Sequence, residues 1–197
     1  MDIQKYIQIN PGDVRGILLY GNLLYSNSNL IDALFQYNRA IWLDERNFDA
    51  QFGIGMCLIN LGKFNNAIMA LRQALKIDPY NHITYYYLGL SLIAIGNDKD
   101  AISSFTQSLL LDPDNVDTYF NLGKSYYETG KIIQAREAFN RVINIDIQYE
   151  VEFNHENSIK VRVQHGAMEH GNFREGFRVY ALFNPQKVIL FDEDQKS

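Results

Sequence analysis

Three observations predict that this chain is all-α, an α-solenoid built from antiparallel helix pairs. First, one 34-residue phrase is written four times in fixed register, with no gap between residues 14 and 149. Gly21, Gly55, Gly89 and Gly123 share one column, Ala33, Ala67, Ala101 and Ala135 a second, and Asp44, Asp78, Asp112 and Asp146 a third. Second, apolar residues inside each copy recur at spacings of three and four, which is the period of a helix face. Third, turn residues stand midway through the copies, and Asp-Pro closes two of them. A strict period of this length means stacked units that bury a continuous core between neighbours.

The third copy, residues 82–115, shows the logic of each unit. Tyr85, Leu88, Gly89 and Leu92 form one helical face, and Gly96-Asn97 break it as a turn does. A second stripe follows in Ala101, Phe105 and Ser108. Asp112-Pro113 ends the unit, because proline disfavours helical geometry in the residue before it. Gly89 and Ala101 are expected to let the two helices approach closely, with Tyr85 and Phe105 filling the space around them. The second copy, 48–81, carries Ile54, Gly55, Leu58, Gly62, Ala67, Leu71, Ala74 and Pro79. The fourth, 116–149, carries Tyr119, Leu122, Gly123, Tyr126, Gly130, Ala135 and Phe139. The first, 14–47, is looser, with Ser28 at the position of the turn glycine.

These columns resemble the tetratricopeptide repeat family: a bulky residue, Leu-Gly, a second bulky residue, alanine, Phe or Tyr, then Asp-Pro. Gln51 replaces the first aromatic, and Glu45 and Ile147 replace the closing proline. The resemblance implies a right-handed superhelix of helix pairs. The register also extends beyond the four copies. Ile9-Asn10-Pro11 lie 34 residues before Leu43-Asp44-Glu45, so residues 1–13 read as an N-terminal half-repeat or capping helix. Gly171 to Tyr180 resembles the turn and second helix of a further unit, with Gly176 in the alanine column. After an insertion over 150–156, residues 157–185 therefore read as a degenerate fifth repeat or capping helices, ended by Pro185. Residues 186–197 form a C-terminal tail.

Composition restricts the function classes. A net charge of −5 without a Lys/Arg stripe argues against a nucleic-acid binder. No secretory leader is apparent at the start, and no apolar run reaches the roughly 18–20 residues that span a bilayer. A cytoplasmic location is the expectation. Cys57 is the single cysteine, placed mid-helix between Met56 and Leu58, and reads as a small buried residue and not a reactive thiol. Gly53-Ile54-Gly55 lacks a third glycine and falls inside a helix, so it is no phosphate loop. His155, His165, Glu169 and His170 match no known zinc spacing, and no carboxylate pair occupies an apolar pocket suited to acid–base work. The chain is expected not to be an enzyme, and to carry no cofactor and no metal.

The functional signal lies on a second stripe of the first helices, left over once the packing columns are assigned. It reads Leu18, Asn22, Tyr25, then Phe52, Met56, Ile59, then Tyr86, Leu90, Ile93, then Phe120, Lys124, Tyr127. Asn60, Tyr87, Asn121 and Arg15 are polar or amphipathic neighbours. In the family that these repeats resemble, such positions line a concave groove where protein partners bind. Neighbouring first helices touch, so part of the stripe is expected to be shared with the core. A stripe this apolar calls for an occupant: an apolar peptide or amphipathic partner helix, a second copy in a homo-oligomeric scaffold, or the chain's own Lys187 to Phe191 segment. Repeat proteins that clamp acidic chaperone tails use Lys, Arg and Asn in these columns. Here only Asn22 and Lys124 match, while Leu18, Phe52, Tyr86 and Leu90 hold the other positions, so little or no binding of such tails is expected. The apolar groove is more similar to those of small repeat chaperones and assembly factors.

Overall fold

The computed structural model of the chain describes residues 3–146, 149–153, 159–163 and 179–181. A short helix α1 (Ile3–Ile9) precedes four helix pairs: α2 (Val14–Ser26) with α3 (Leu30–Leu43), α4 (Phe48–Asn60) with α5 (Phe64–Ile77), α6 (His82–Ala94) with α7 (Asp98–Leu111), and α8 (Val116–Glu128) with α9 (Ile132–Asp146). Each helix packs on the next in sequence, and the pairs stack into an α-solenoid.

The helix starts follow from a local device that recurs with the repeat. Asn47, Asn81 and Asn115 cap α4, α6 and α8, and their side-chain oxygens accept the N–H of Ala50, Thr84 and Thr118 at 3.0, 2.9 and 2.9 Å. Asp13 does the same for α2 through the Arg15 N–H. The aspartate column stands three residues earlier. Asp44 and Asp112 accept from the side-chain amides of Asn47 and Asn115, both at 3.0 Å, so the end of one unit locks the start of the next. These bonds satisfy backbone donors that a helix start leaves open.

Between the helices of a pair the chain reverses through a left-handed residue. Gly62, Gly96 and Gly130 have φ of 69°, 74° and 74°, which glycine adopts without steric cost. Ser28 takes φ 59° in the first pair, so the serine carries a strain that the other turns avoid.

The glycine column decides how close the paired helices come. A Cβ added at Gly21, Gly55, Gly89 or Gly123 would stand 2.9, 2.7, 2.5 or 2.7 Å from an atom of Tyr37, Leu71, Phe105 or Phe139 respectively. The bulky partner comes 16 residues later in every copy, and its side chain fills the volume the glycine leaves open. Phe105, Leu71 and the alanine column residues Ala33, Ala67 and Ala101 are fully buried. Cys57 is fully buried as well, and burial pushes its thiol up to about 11. The α1 helix continues the register with a size exchange: Tyr6 stands where Ala40, Ala74 and Ser108 recur, and Gly16 where Ala50, Thr84 and Thr118 recur. A Cβ at Gly16 would lie 2.9 Å from the Tyr6 ring, and the Tyr6 hydroxyl donates to Asp13 at 2.9 Å.

The expectation of a fifth helix pair over 157–185 is corrected at the described positions. Strands β1 (Tyr149–Phe153), β2 (Ile159–Val163) and β3 (Val179–Ala181) form an antiparallel sheet in the order β1-β2-β3. The segment expected as an insertion, 150–156, begins inside β1. The reason is periodicity. Tyr149, Val151 and Phe153 alternate with Glu150 and Glu152, and Ile159, Val161 and Val163 alternate with Lys160 and Arg162. A period of two suits a strand and not a helix. The register pairs Glu150 with Arg162, Val151 with Val161 and Glu152 with Lys160. The remainder of 157–185, the tail 186–197 and the His155, His165, Glu169 and His170 group lie outside the described residues.

Candidate peptide-binding groove

The contacts between helices determine which way the stack bends. First helices of successive pairs touch each other, α2 with α4, α4 with α6 and α6 with α8. Among the described residues no such contact joins α3 to α5, α5 to α7 or α7 to α9. The second helices are therefore splayed apart, and the first helices lie on the inside of the curve.

The candidate stripe lies on these first helices, in columns that run from one to the next. None of its residues is fully buried. Leu18, Tyr25, Phe52, Met56, Ile59, Tyr86, Tyr87, Leu90, Ile93 and Asn121 are half-buried, and Asn22, Asn60, Phe120, Lys124 and Tyr127 are exposed. Tyr127 keeps 63 % of its surface open to solvent and Phe120 keeps 48 %, a high value for large rings. The half-buried members pack against the core from outside: Phe52, Ile59, Tyr86, Tyr87, Leu90 and Ile93 on the cluster of the later repeats, Leu18 and Tyr25 on that of the earlier ones. These half-buried members form the outer rim of the core.

Aromatic contacts make its middle continuous. Phe48 stacks on Phe52 at 5.9 Å and 8°. Phe52 meets Tyr87 edge-on at 6.0 Å, Tyr87 meets Tyr86 edge-on at 5.3 Å, and Tyr86 reaches the buried Phe105 ring at 6.1 Å. Offset and edge-on arrangements are the favoured ones for such rings. Phe120 rests on Phe139 at 5.9 Å, and the Lys124 ammonium lies over the Phe120 ring at 5.7 Å.

The polar members are tied into the array and hold it in shape. The Tyr37 hydroxyl donates to Asn22 Oδ1 at 2.7 Å, which gives that buried phenol its partner. Asn60 Nδ2 donates to the Tyr25 hydroxyl at 2.8 Å, linking α2 to α4. Asn121 Nδ2 donates to the Asp117 carbonyl at 2.8 Å and, at 3.5 Å, to the Tyr86 hydroxyl, linking α6 to α8. Burial pushes the Tyr86 phenol up to about 12, helped by the nearby Asp117 charge and by Tyr87. Burial raises the Tyr87 phenol too, with Tyr25 and Asp117 adding to it. Both phenols stay neutral at ordinary pH.

Sequence reasoning missed Phe48, Phe139 and Asp117 as neighbours of the stripe. Asp117 stands three residues before Phe120 on α8, so helical spacing alone carried that signal. A separate open depression of about 440 Å³ lies between α1 and α3, away from the stripe, with Gln8, Pro11, Phe35 and Arg39 among its walls. Among the described residues no group of three or more His, Cys, Asp or Glu is placed to hold a metal ion, and no helix is long and apolar enough to cross a membrane.

Family models described as tetratricopeptide repeat match residues 48–81 and 116–149, and one described as TPR repeat matches 91–130. The chain belongs to the tetratricopeptide repeat family. Two of these matches coincide with the second and fourth copies of the 34-residue phrase. Solved structures of MamA share the fold. A crystal structure of MamA superposes with a TM-score of 0.70 at 22% identity, covering 72% of this chain and 83% of that one. MamA 41-end from Desulfovibrio magneticus RS-1 gives 0.69 at 19% identity, covering 73% and 81%. At such identity the likeness is one of fold. A comparison with curated proteins finds no match. As a tetratricopeptide repeat array, the chain is a protein-interaction or scaffold module.

Proposed function

We propose that this chain is a non-catalytic adaptor or assembly module that holds an apolar or amphipathic partner segment along the inner face of its first helices. The observation that carries the reading is the continuous aromatic rim from Phe48 through Phe52, Tyr87 and Tyr86, flanked by the exposed Phe120 and Tyr127. Large rings held by core contacts on one side and open on the other lose little conformational freedom on binding, and this makes them effective anchors. The inner columns also oppose a clamp for acidic tails, since Leu18, Phe52, Tyr86 and Leu90 offer no cation to a carboxylate.

The test is affinity purification with mass spectrometry, run side by side on wild type, Tyr86→Ala and Phe120→Ala, with light scattering on each purified protein. The expected result is a monomer whose partner is lost in both variants, each anchor contributing roughly 2 kcal/mol, about thirtyfold in Kd. A wild-type oligomer that falls to monomers in both variants would instead make the groove a self-association surface. A partner retained by both variants would show that binding occurs elsewhere.

A further inference from the structure

The groove is uniform in apolar character but not in charge. On α8 the chain places its own cation over a groove ring, Lys124 over Phe120 at 5.7 Å. The same two columns on α6 hold Tyr86 and Leu90, so the ring recurs there without the lysine. Among the described residues no ion pair reaches the carboxylate of Asp117, which is exposed in the first turn of α8. Asn121 Nδ2 donates both to the Asp117 carbonyl at 2.8 Å and to the Tyr86 hydroxyl at 3.5 Å, which sets Asp117 beside Tyr86, and the Asp117 charge bears on both the Tyr86 and Tyr87 phenols. Tyr86 and Tyr87 meet at 5.3 Å and 68°, and Phe52 meets Tyr87 at 6.0 Å and 62°. This puts three half-buried rings at steep angles beside one unpaired carboxylate.

Ring faces carry the negative end of the aromatic quadrupole and attract a cation lying within about 6 Å. Neutral phenol hydroxyls add lone pairs. A carboxylate next to them supplies the full charge, and a guanidinium can stack on a tyrosine while it bonds to a carboxylate. We infer that the groove between the third and fourth repeats takes a basic side chain, an arginine or lysine flanked by apolar residues of the partner segment, against Tyr86, Tyr87 and the Asp117 carboxylate. This rests on the groove reading above and adds the charge of what the groove accepts. It makes the preferred partner segment basic and apolar, opposite in charge to an acidic tail, in keeping with the chain's own charge of −5.

The experiment is selection of a random dodecapeptide display library on the full chain, followed by titration of synthetic peptides. The expected winners carry Arg or Lys next to large apolar residues and lose binding to Tyr86→Ala and Phe120→Ala. Replacing the peptide arginine by citrulline, a neutral isostere, should weaken such a winner roughly tenfold, and Asp117→Asn should weaken it by a similar factor. Combining the two should weaken it little beyond either alone, because both remove one interaction. Circular dichroism of Asp117→Asn serves as the check that the fold is kept. Winners that depend on the groove but are acidic or uncharged would overturn this inference and leave the groove reading standing. Unchanged affinity in Asp117→Asn would do the same. If no winner depends on Tyr86 or Phe120, the groove reading falls, and this inference with it.

Discussion

Replacing Gly89 by alanine sets two opposed effects against each other at one atom. Alanine is the better helix former by about 1 kcal/mol, so at an open helix position the change stabilises. At Gly89 the new Cβ would stand 2.5 Å from Phe105 Cε1 and 2.7 Å from Cζ, where ordinary contact begins near 3.4 Å. The ring must retreat by about 1 Å to restore contact distance. It has little room to do so, because Phe105 is fully buried and Tyr86 lies against it at 6.1 Å. Overpacking of this kind costs about 1–3 kcal/mol, so the net expectation is a loss of up to about 2 kcal/mol, and a larger loss for Gly89→Leu. Urea unfolding followed by circular dichroism measures it. The decisive control is Phe105→Ala. With the ring removed, Gly89→Ala should stabilise by about the propensity difference of 1 kcal/mol. A stabilised Gly89→Ala in the wild-type background, or the same cost with and without the ring, would refute the account of the glycine column.

Further outcomes follow from local geometry and burial. Ser28→Gly removes a left-handed serine at φ 59° and should raise stability by roughly 0.5–1 kcal/mol in the same unfolding assay; no gain would show that the serine is unstrained. Asn81→Ala removes the cap bonded to the Thr84 N–H at 2.9 Å and its hydroxyl at 2.8 Å, and should cost about 1–2 kcal/mol of stability. Cys57 should resist alkylation near neutral pH until the chain unfolds, because its thiol is buried and held at about 11. The alkaline stability curve follows in sign. Below pH 9 both states keep the proton, and between pH 9 and about 11 the unfolded chain loses it first, so stability falls across that window. Tyr86 adds a second loss between pH 10 and about 12, and Cys57→Ala should remove only the first.

Much of the solenoid was legible because each unit reuses the same short-range rules. The Gly89 and Phe105 columns, the turn glycines and the closing aspartates lie at fixed offsets within one copy, so four copies report one geometry. The asparagine caps are equally visible, as Asp-x-x-Asn at 44–47, 78–81 and 112–115. The period-two alternation in Tyr149–Phe153 and Ile159–Val163 is legible in the sequence as well, and it is what makes these segments strands. At the groove, the column positions followed from the register and Asp117 from its helical spacing to Phe120, but its nearness to Tyr86 and Tyr87, some thirty residues earlier, comes only from the packing of α8 beside α6.

The sequence by itself determined the unit: two helices, a left-handed turn, a glycine facing a bulky side chain and an aspartate that closes the copy. Those features depend on residues within one 34-residue period, and local sterics and hydrogen bonding set them. Tertiary structure alone decided which side of the stack is inside, because that depends on first helices touching while second helices splay. It also decided which rings of the stripe join: Phe52 with Tyr87 across α4 and α6, Asn60 with Tyr25 across α2 and α4, and Lys124 on its own Phe120. A repeat specifies its own fold from within. The surface it presents arises between copies, where each contact depends on residues the period does not hold constant.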